Sequence, residues 1–169
     1  MAKKNKGPRV RNAKEGDRNL FRKLWKDYLT EAYNSKDSEI QPDDFNLDRY
    51  SMFFDFFVSG QLPGIVLFIG DSAVLMWGGF GDNDPFHMDS KRAVGFGTYV
   101  KPEARRRGYS MLIRAEGKKQ LKDMKFDSVV GEIKHGGTDF DKRVASAEKA
   151  GGVPYATLWQ LKLEEANES

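Results

Sequence analysis

The stretch RAVGFGTYVKPEARRRGYSMLI (92–113) decides how the rest of this chain is read. After Arg92 it runs through mostly apolar, β-branched or aromatic residues punctuated by glycine, and reads as a strand over 93–100. Pro102 stops that strand. Three consecutive arginines, Arg105, Arg106 and Arg107, precede Gly108, and a helix is expected from there to about 124. The strand end and the helix start thus meet at a short, basic, glycine-containing junction. Such a junction points several free N–H groups one way, and the helix dipole adds about half a positive charge. Gly108 and Ser110 leave room for close backbone approach, and guanidinium groups suit phosphate oxygens. The junction is either an anion cradle, best suited to a pyrophosphate, or a solvated basic turn.

Working outward, the next apolar run, FDSVVGEIKH (126–135), completes a strand–helix–strand unit. Its crossover should be right-handed and its two strands parallel, whether paired or splayed. Upstream, GIVLFI and AVLMWGGF flank Gly70-Asp71-Ser72, a hairpin signature. A polar loop (81–92) carrying Asp82, Asp84, His87 and Asp89 separates that hairpin from the strand at 93. Those acids either attract a cationic molecule or are simply solvated.

Toward the N-terminus, RVRNA (9–13) is a short strand. Asp17 is a candidate N-cap for a helix to about Tyr33, with Leu20, Leu24 and Tyr28 at i, i+4 spacing. A second helix, about 44–58, places Leu47, Tyr50, Phe54 and Phe57 on one stripe, leaving Phe53 and Phe56 beside it. They wall a channel or extend the core. Downstream, a helix to about Lys149 and a final strand, YATLWQLKL (155–163), complete the order β-α-α-β-β-β-α-β-α-β.

That order predicts an α+β (mixed α/β) domain. It lacks both the G-x-G-x-x-G strand–helix opening of a Rossmann domain and the G-x-x-x-x-G-K-[ST] of a nucleotide P-loop. With 169 residues, 39% hydrophobic and 31% charged, the chain suits one domain over residues 8–163. A basic tail (1–7) and an acidic tail (164–169) flank it and read as frayed ends. No apolar run is long enough to span a membrane, and no leader pattern is visible, so a cytoplasmic protein is expected. The net charge of +3 comes without the aromatic interleaving of a nucleic-acid module. Cysteine is absent, which excludes a thiol nucleophile and a thiolate metal site, and only two histidines occur. No metal is expected.

The run VKPEARRRGYS (100–110) resembles the pyrophosphate motif of the GNAT (Gcn5-related N-acetyltransferase) superfamily. That motif is Arg/Gln-x-x-Gly-x-Gly/Ala, introduced by Val-x-Pro-x-x-Arg. Val100, Pro102, Arg105 and Gly108 match it, and Ser110 replaces the last small residue. The element order is similar over about residues 8–163. The resemblance implies a mixed, mostly antiparallel sheet of about six strands flanked by four helices, splayed at an acetyl-CoA site. It implies acetyl-CoA as co-substrate. Backbone groups of Thr98, Tyr99 and Val100 would hold pantetheine, and those from Arg106 through Tyr109 to Ser110 the pyrophosphate, with the Val100 N–H polarising the thioester carbonyl.

The acceptor implied is a primary amine: a protein N-terminus, a lysine or a small molecule. Glu132 in GEIK resembles the carboxylate that acts through water as general base in ribosomal-protein N-acetyltransferases; its other reading is a solvent-facing strand residue. His135 relays protons or is a loop residue. Where many family members carry a tyrosine as general acid, this chain has Ala147, with Ser146 or Tyr155 as substitutes. Two functions therefore stand: direct acetyl transfer from acetyl-CoA to an amine, or a catalytically silent GNAT-fold protein that binds CoA or another partner.

Overall fold

The computed structural model describes residues 8–33, 46–79, 91–130, 140–149 and 151. Within them lie β1 (Val10–Asn12), α1 (Arg18–Tyr33), α2 (Leu47–Val58), β2 (Gly64–Ile69), β3 (Ala73–Gly78), β4 (Arg92–Val100), α3 (Tyr109–Asp123), β5 (Ser128–Val130) and α4 (Phe140–Lys149). One sheet runs β1-β2-β3-β4-β5. Its first four strands are antiparallel neighbours, and β5 lies parallel to β4. The predicted element order holds through α4. Five strands are described against about six expected; the sixth, at 155–163, lies outside the described residues, as do both tails and the loop acids Asp82, Asp84, His87 and Asp89.

The β2–β3 hairpin is the spine of the sheet. Its turn falls at Gly70-Asp71-Ser72, with Gly70 at φ 54°, a left-handed conformation that glycine adopts without a Cβ clash. Every residue of both strands is buried, so alternate side chains feed two separate cores. On one face, Val66, Phe68, Val74, Met76 and Tyr99 pack with Phe21, Leu24, Trp25 and Leu29 of α1 and Phe54 and Phe57 of α2. On the other, Ile65, Leu67, Leu75, Trp77 and Ala93 meet Ile113 and Leu121 of α3, closed by Phe126. Burying each such large side chain is worth about 1.5–3 kcal/mol, so α1 and α3 are fixed against opposite faces of the same strands.

Asp17 does not cap α1 as expected. It ends a tight turn over Glu15–Asp17, where its carboxylate accepts the Lys14 N–H at 2.8 Å and a fork from Arg11 at 2.6 and 2.9 Å. The Arg11 guanidinium, first among the causes, holds the Asp17 carboxyl below its ordinary range. The pair ties β1 to the start of α1. Helix α2 starts later than the spacing predicted, capped by Asn46, whose side chain accepts from the N–H groups of Asp48 and Arg49. Phe53 and Phe56 are half-buried; the Phe53 ring lies 5.0 Å from Phe96 of β4 and so lines the core face rather than solvent.

Candidate functional site

The C-terminal half of β4 has one paired edge and one open edge among the described residues. It pairs with β3 throughout, whereas β5 matches only Arg92–Val94. Which backbone groups use the open edge follows from one hydrogen bond. The Lys101 N–H donates to the Ser72 carbonyl at 2.9 Å, one step beyond the Ala73↔Val100 pair. Antiparallel pairs alternate between bonded and non-bonded. Val100 and Thr98 therefore turn their N–H and C=O groups away from β3, and Tyr99 turns its own toward Val74. The Val100 carbonyl agrees with this: it accepts the Arg105 Nε at 3.1 Å. Of the three residues expected to offer backbone groups here, Thr98 and Val100 do so and Tyr99 does not, because its groups belong to the sheet.

A bulge at Met76/Trp77 interrupts the β3–β4 register, leaving Phe96 as the extra residue. A bulge shifts which face later side chains reach. Beyond it, Gly97 and Tyr99 face α1, and Thr98 and Val100 face α3. The Tyr99 ring is buried against Tyr28, with centroids 6.3 Å apart. Burial first, then the nearby Asp27 and Glu31 carboxylates, raises the Tyr99 phenol above its ordinary pKa and keeps it protonated.

After β4 the chain makes a short turn over Pro102–Ala104 and reaches the arginines. Arg106 has φ 64° and Gly108 φ 76°, both left-handed, with Arg107 between. A left-handed residue other than glycine costs about 1–2 kcal/mol, and such alternation curls successive N–H groups into an anion-sized concavity. Among the described residues no acceptor takes the N–H of Arg106, Arg107, Gly108, Tyr109, Ser110 or Met111, and Gly108 opens α3 with no side-chain cap. A Cβ at Gly108 would meet nothing within 4 Å, so the hollow is open to solvent. Arg106 and Arg107 are exposed, and no ion pair among the described residues holds them. Tyr109 is half-buried on the α3 core.

Arg105 is placed differently from its neighbours. Its guanidinium forks onto the Glu31 carboxylate of α1 while its Nε holds the Val100 carbonyl. It braces the end of β4 against α1, so its charge is already matched. Glu132 and His135 lie outside the described residues, as does Tyr155. Ala147 falls on α4, half-buried, with no group able to give a proton.

Two side chains at this edge carried no signal as site residues in the sequence. The first is Tyr28, read as part of the α1 core stripe. A Cβ on Gly97 would stand 2.8–3.0 Å from the Cε1, Cζ and hydroxyl oxygen of Tyr28, so that phenol lies flat on the backbone next to Thr98. The second is Arg114 on α3, half-buried, with a buried Nε that has no hydrogen-bond partner. Desolvation, the largest cause, pushes its pKa down, and the charge it can share with Tyr28 opposes that. A glycine opposite a stripe tyrosine was the one available hint. Among the described residues no cluster of His, Asp or Glu could hold a metal ion, and no helix is long and apolar enough to cross a membrane.

No family model matches the chain, and no curated protein matches it in sequence. Solved structures do match it in shape. An aminoglycoside 6'-N-acetyltransferase from Acinetobacter haemolyticus superposes with a TM-score of 0.65 at 11% identity, covering 93% of this chain and 99% of its own. The aminoglycoside N-acetyltransferase AAC(6')-Iy in complex with CoA gives 0.64 at 10% identity, covering 98% and 100%. A ribosomal-protein-alanine N-acetyltransferase from Brucella melitensis gives 0.61 at 10%, covering 92% and 99%. The described residues share the fold of these acetyltransferases.

Proposed function

We propose that this protein is an acyltransferase that moves an acetyl group from acetyl-CoA to a primary amine in a single direct step. The observation that carries the reading is a track of backbone donors that have no acceptor among the described residues. It begins in the N–H groups from Arg106 to Met111 and continues along the edge of β4 that no described strand covers, through Val100 to Thr98. A pyrophosphate suits the first part, where helix dipole and curled backbone favour an anion. Amide and thioester carbonyls suit the second. An arm that starts at the cradle passes Val100 first and reaches Thr98 about 6.6 Å further along, at 3.3 Å per residue. The inner donor, Thr98, is then better placed than Val100 to polarise the thioester carbonyl. Arg106 and Arg107 add charge at the mouth, and Arg105 keeps β4 in place.

The fold does not name the acceptor, since neighbours bearing it are named for an aminoglycoside and for a ribosomal-protein alanine. The chemistry divides the candidates. A lysine-type amine, pKa about 10.4, is neutral in roughly one molecule per thousand at pH 7.4, whereas an α-amine near 8 is neutral in roughly one in five. A general base helps the first far more than the second. Glu132 is our candidate for it, on the strength of the sequence alone. The competing reading, CoA binding without turnover, draws on Ala147, which cannot protonate the departing thiolate.

The test is thermal. Acetyl-CoA at about a hundred times its Kd should add about 2.7 kcal/mol, a rise in Tm of roughly 5–11 °C for a chain of this size. Gly108→Asp should cancel it. Aspartate tolerates the left-handed conformation better than most residues, and its Cβ meets no protein atom, so the variant should fold. Its carboxylate then occupies the phosphate cradle. A Gly108→Asp protein still stabilised by acetyl-CoA refutes the cradle.

A further inference from the structure

We propose that Tyr28 is the proton donor to the departing CoA thiolate, with Arg114 as the positioning residue that steadies its phenolate. This rests on the acetyltransferase reading above. The geometry is specific to this chain. Tyr28 rises from α1 on one face of the sheet and lies against Gly97 of β4, and Arg114 comes from α3, which packs on the other face, with its charge interacting with Tyr28. The absence of a side chain at Gly97 lets the phenol lie against the backbone one residue from Thr98, the inner donor of the track. Trp25 at 5.1 Å and Tyr99 at 6.3 Å, ring to ring, hold it there. A half-buried guanidinium whose buried Nε bonds to nothing is stabilised when a negative charge forms nearby. A phenolate supplies one, transiently, in this chemistry.

Asp27 and Glu31 on α1, with Glu103 and Arg105 beyond β4, act on the adjacent Tyr99 phenol, and Glu31 is matched by Arg105. Arg114 on α3 is the cation whose charge interacts with Tyr28, and it favours the phenolate. In the step itself, the neutral amine nitrogen attacks the thioester carbonyl carbon and a C–N bond forms. On collapse the C–S bond breaks, its electron pair leaves on sulfur, and the sulfur takes the Tyr28 hydroxyl proton. The proton lost by nitrogen returns to the phenolate through solvent. The sum is amine plus acetyl-CoA giving N-acetyl amine plus CoA thiol, with no other reactant.

The experiment compares wild type, Tyr28→Phe, Arg114→Gln and Arg114→Lys in two readouts. The first is kcat against pH, with an acceptor found in a panel of lysine-like, α-amino and small polyamine substrates. Tyr28→Phe keeps the ring and its packing. It should lower kcat by about a hundredfold, with KM for acetyl-CoA little changed, and abolish the alkaline fall in rate that comes from losing the phenol proton. Arg114→Gln should move that fall to higher pH, and Arg114→Lys should largely restore it. The second readout needs no turnover: the thiolate absorbance of bound CoA is titrated. A phenol donor lowers that thiol below its ordinary value of about 8.5, and Tyr28→Phe should raise it again. Equal kcat profiles, or equal thiol titrations, in wild type and Tyr28→Phe overturn this inference while leaving CoA binding and the acetyltransferase reading intact. Failure of wild type to bind CoA at all overturns both.

Discussion

Gly97→Ala tests the geometry of this edge with a single methyl group. Its Cβ would lie 2.8 Å from Tyr28 Cε1, 2.9 Å from Cζ and 3.0 Å from the hydroxyl oxygen. Carbon atoms settle at about 3.5–4.0 Å, so the ring must retreat by most of an ångström. It cannot do so freely, because Trp25 and Tyr99 pack around it. Overpacking of this kind costs about 1–3 kcal/mol. Replacing a strand glycine by alanine returns about 0.5–1 kcal/mol by stiffening the unfolded chain. The expected net loss is about 0.5–2 kcal/mol, with a fall in kcat as the hydroxyl leaves the end of the donor track. The decisive control is the background. In Tyr28→Ala the obstacle is gone, so the same Gly97→Ala change should reverse sign and stabilise. Urea unfolding of the four proteins gives the coupling energy directly. If Gly97→Ala has the same effect in both backgrounds, the phenol does not lie where the structure puts it, and the proton-donor argument loses its footing.

Arg114→Met should raise Tm by a few degrees while slowing turnover. It removes a half-buried guanidinium whose buried Nε is unsatisfied, a burden of up to about 1 kcal/mol; a lower Tm, read by calorimetry, would count against this account. The arginines of the cradle should separate by salt. Arg106→Ala/Arg107→Ala should flatten the salt dependence of CoA affinity, whereas Arg105→Ala should leave its slope nearly unchanged, since Glu31 already neutralises that charge. Equal slopes for both variants, measured by titration calorimetry, would show that Arg105 meets phosphate.

The fold was largely legible because its signals are local. Period-2 and period-3.6 patterns, the Gly70 turn and the proline after Val100 each act within a few residues, and they yielded the element order through α4. The left-handed turn that opens α3 was foreshadowed for the same reason: Arg106, Arg107 and Gly108 are neighbours in sequence. What could not be read was set by contacts between distant segments. The run of three arginines gave no sign that Arg105 pairs with Glu31, 74 residues away. Asp17 looked like a helix cap until Arg11 and Lys14 engaged it. Tyr99 looked equivalent to its neighbours until the register with β3 turned its backbone inward. Tyr28 fitted the α1 stripe so well that its apolar ring hid its hydroxyl.

These corrections act together on the chemistry. A cradle built from three free arginines would bind any polyanion, and its affinity would depend on charge alone. With Arg105 withdrawn to brace β4, recognition rests more on oriented N–H groups, which report shape as well as charge. The brace also links the two halves of the site. Glu31, which holds Arg105, lies one helical turn beyond Tyr28 on α1, and the Val100 carbonyl that Arg105 holds lies two residues from Thr98. A shift of α1 therefore moves the proton donor and the donor track as one body. On the proposed mechanism, that arrangement would keep the leaving sulfur and its acid in register, and Ala147 would be tolerated because α1 carries the phenol.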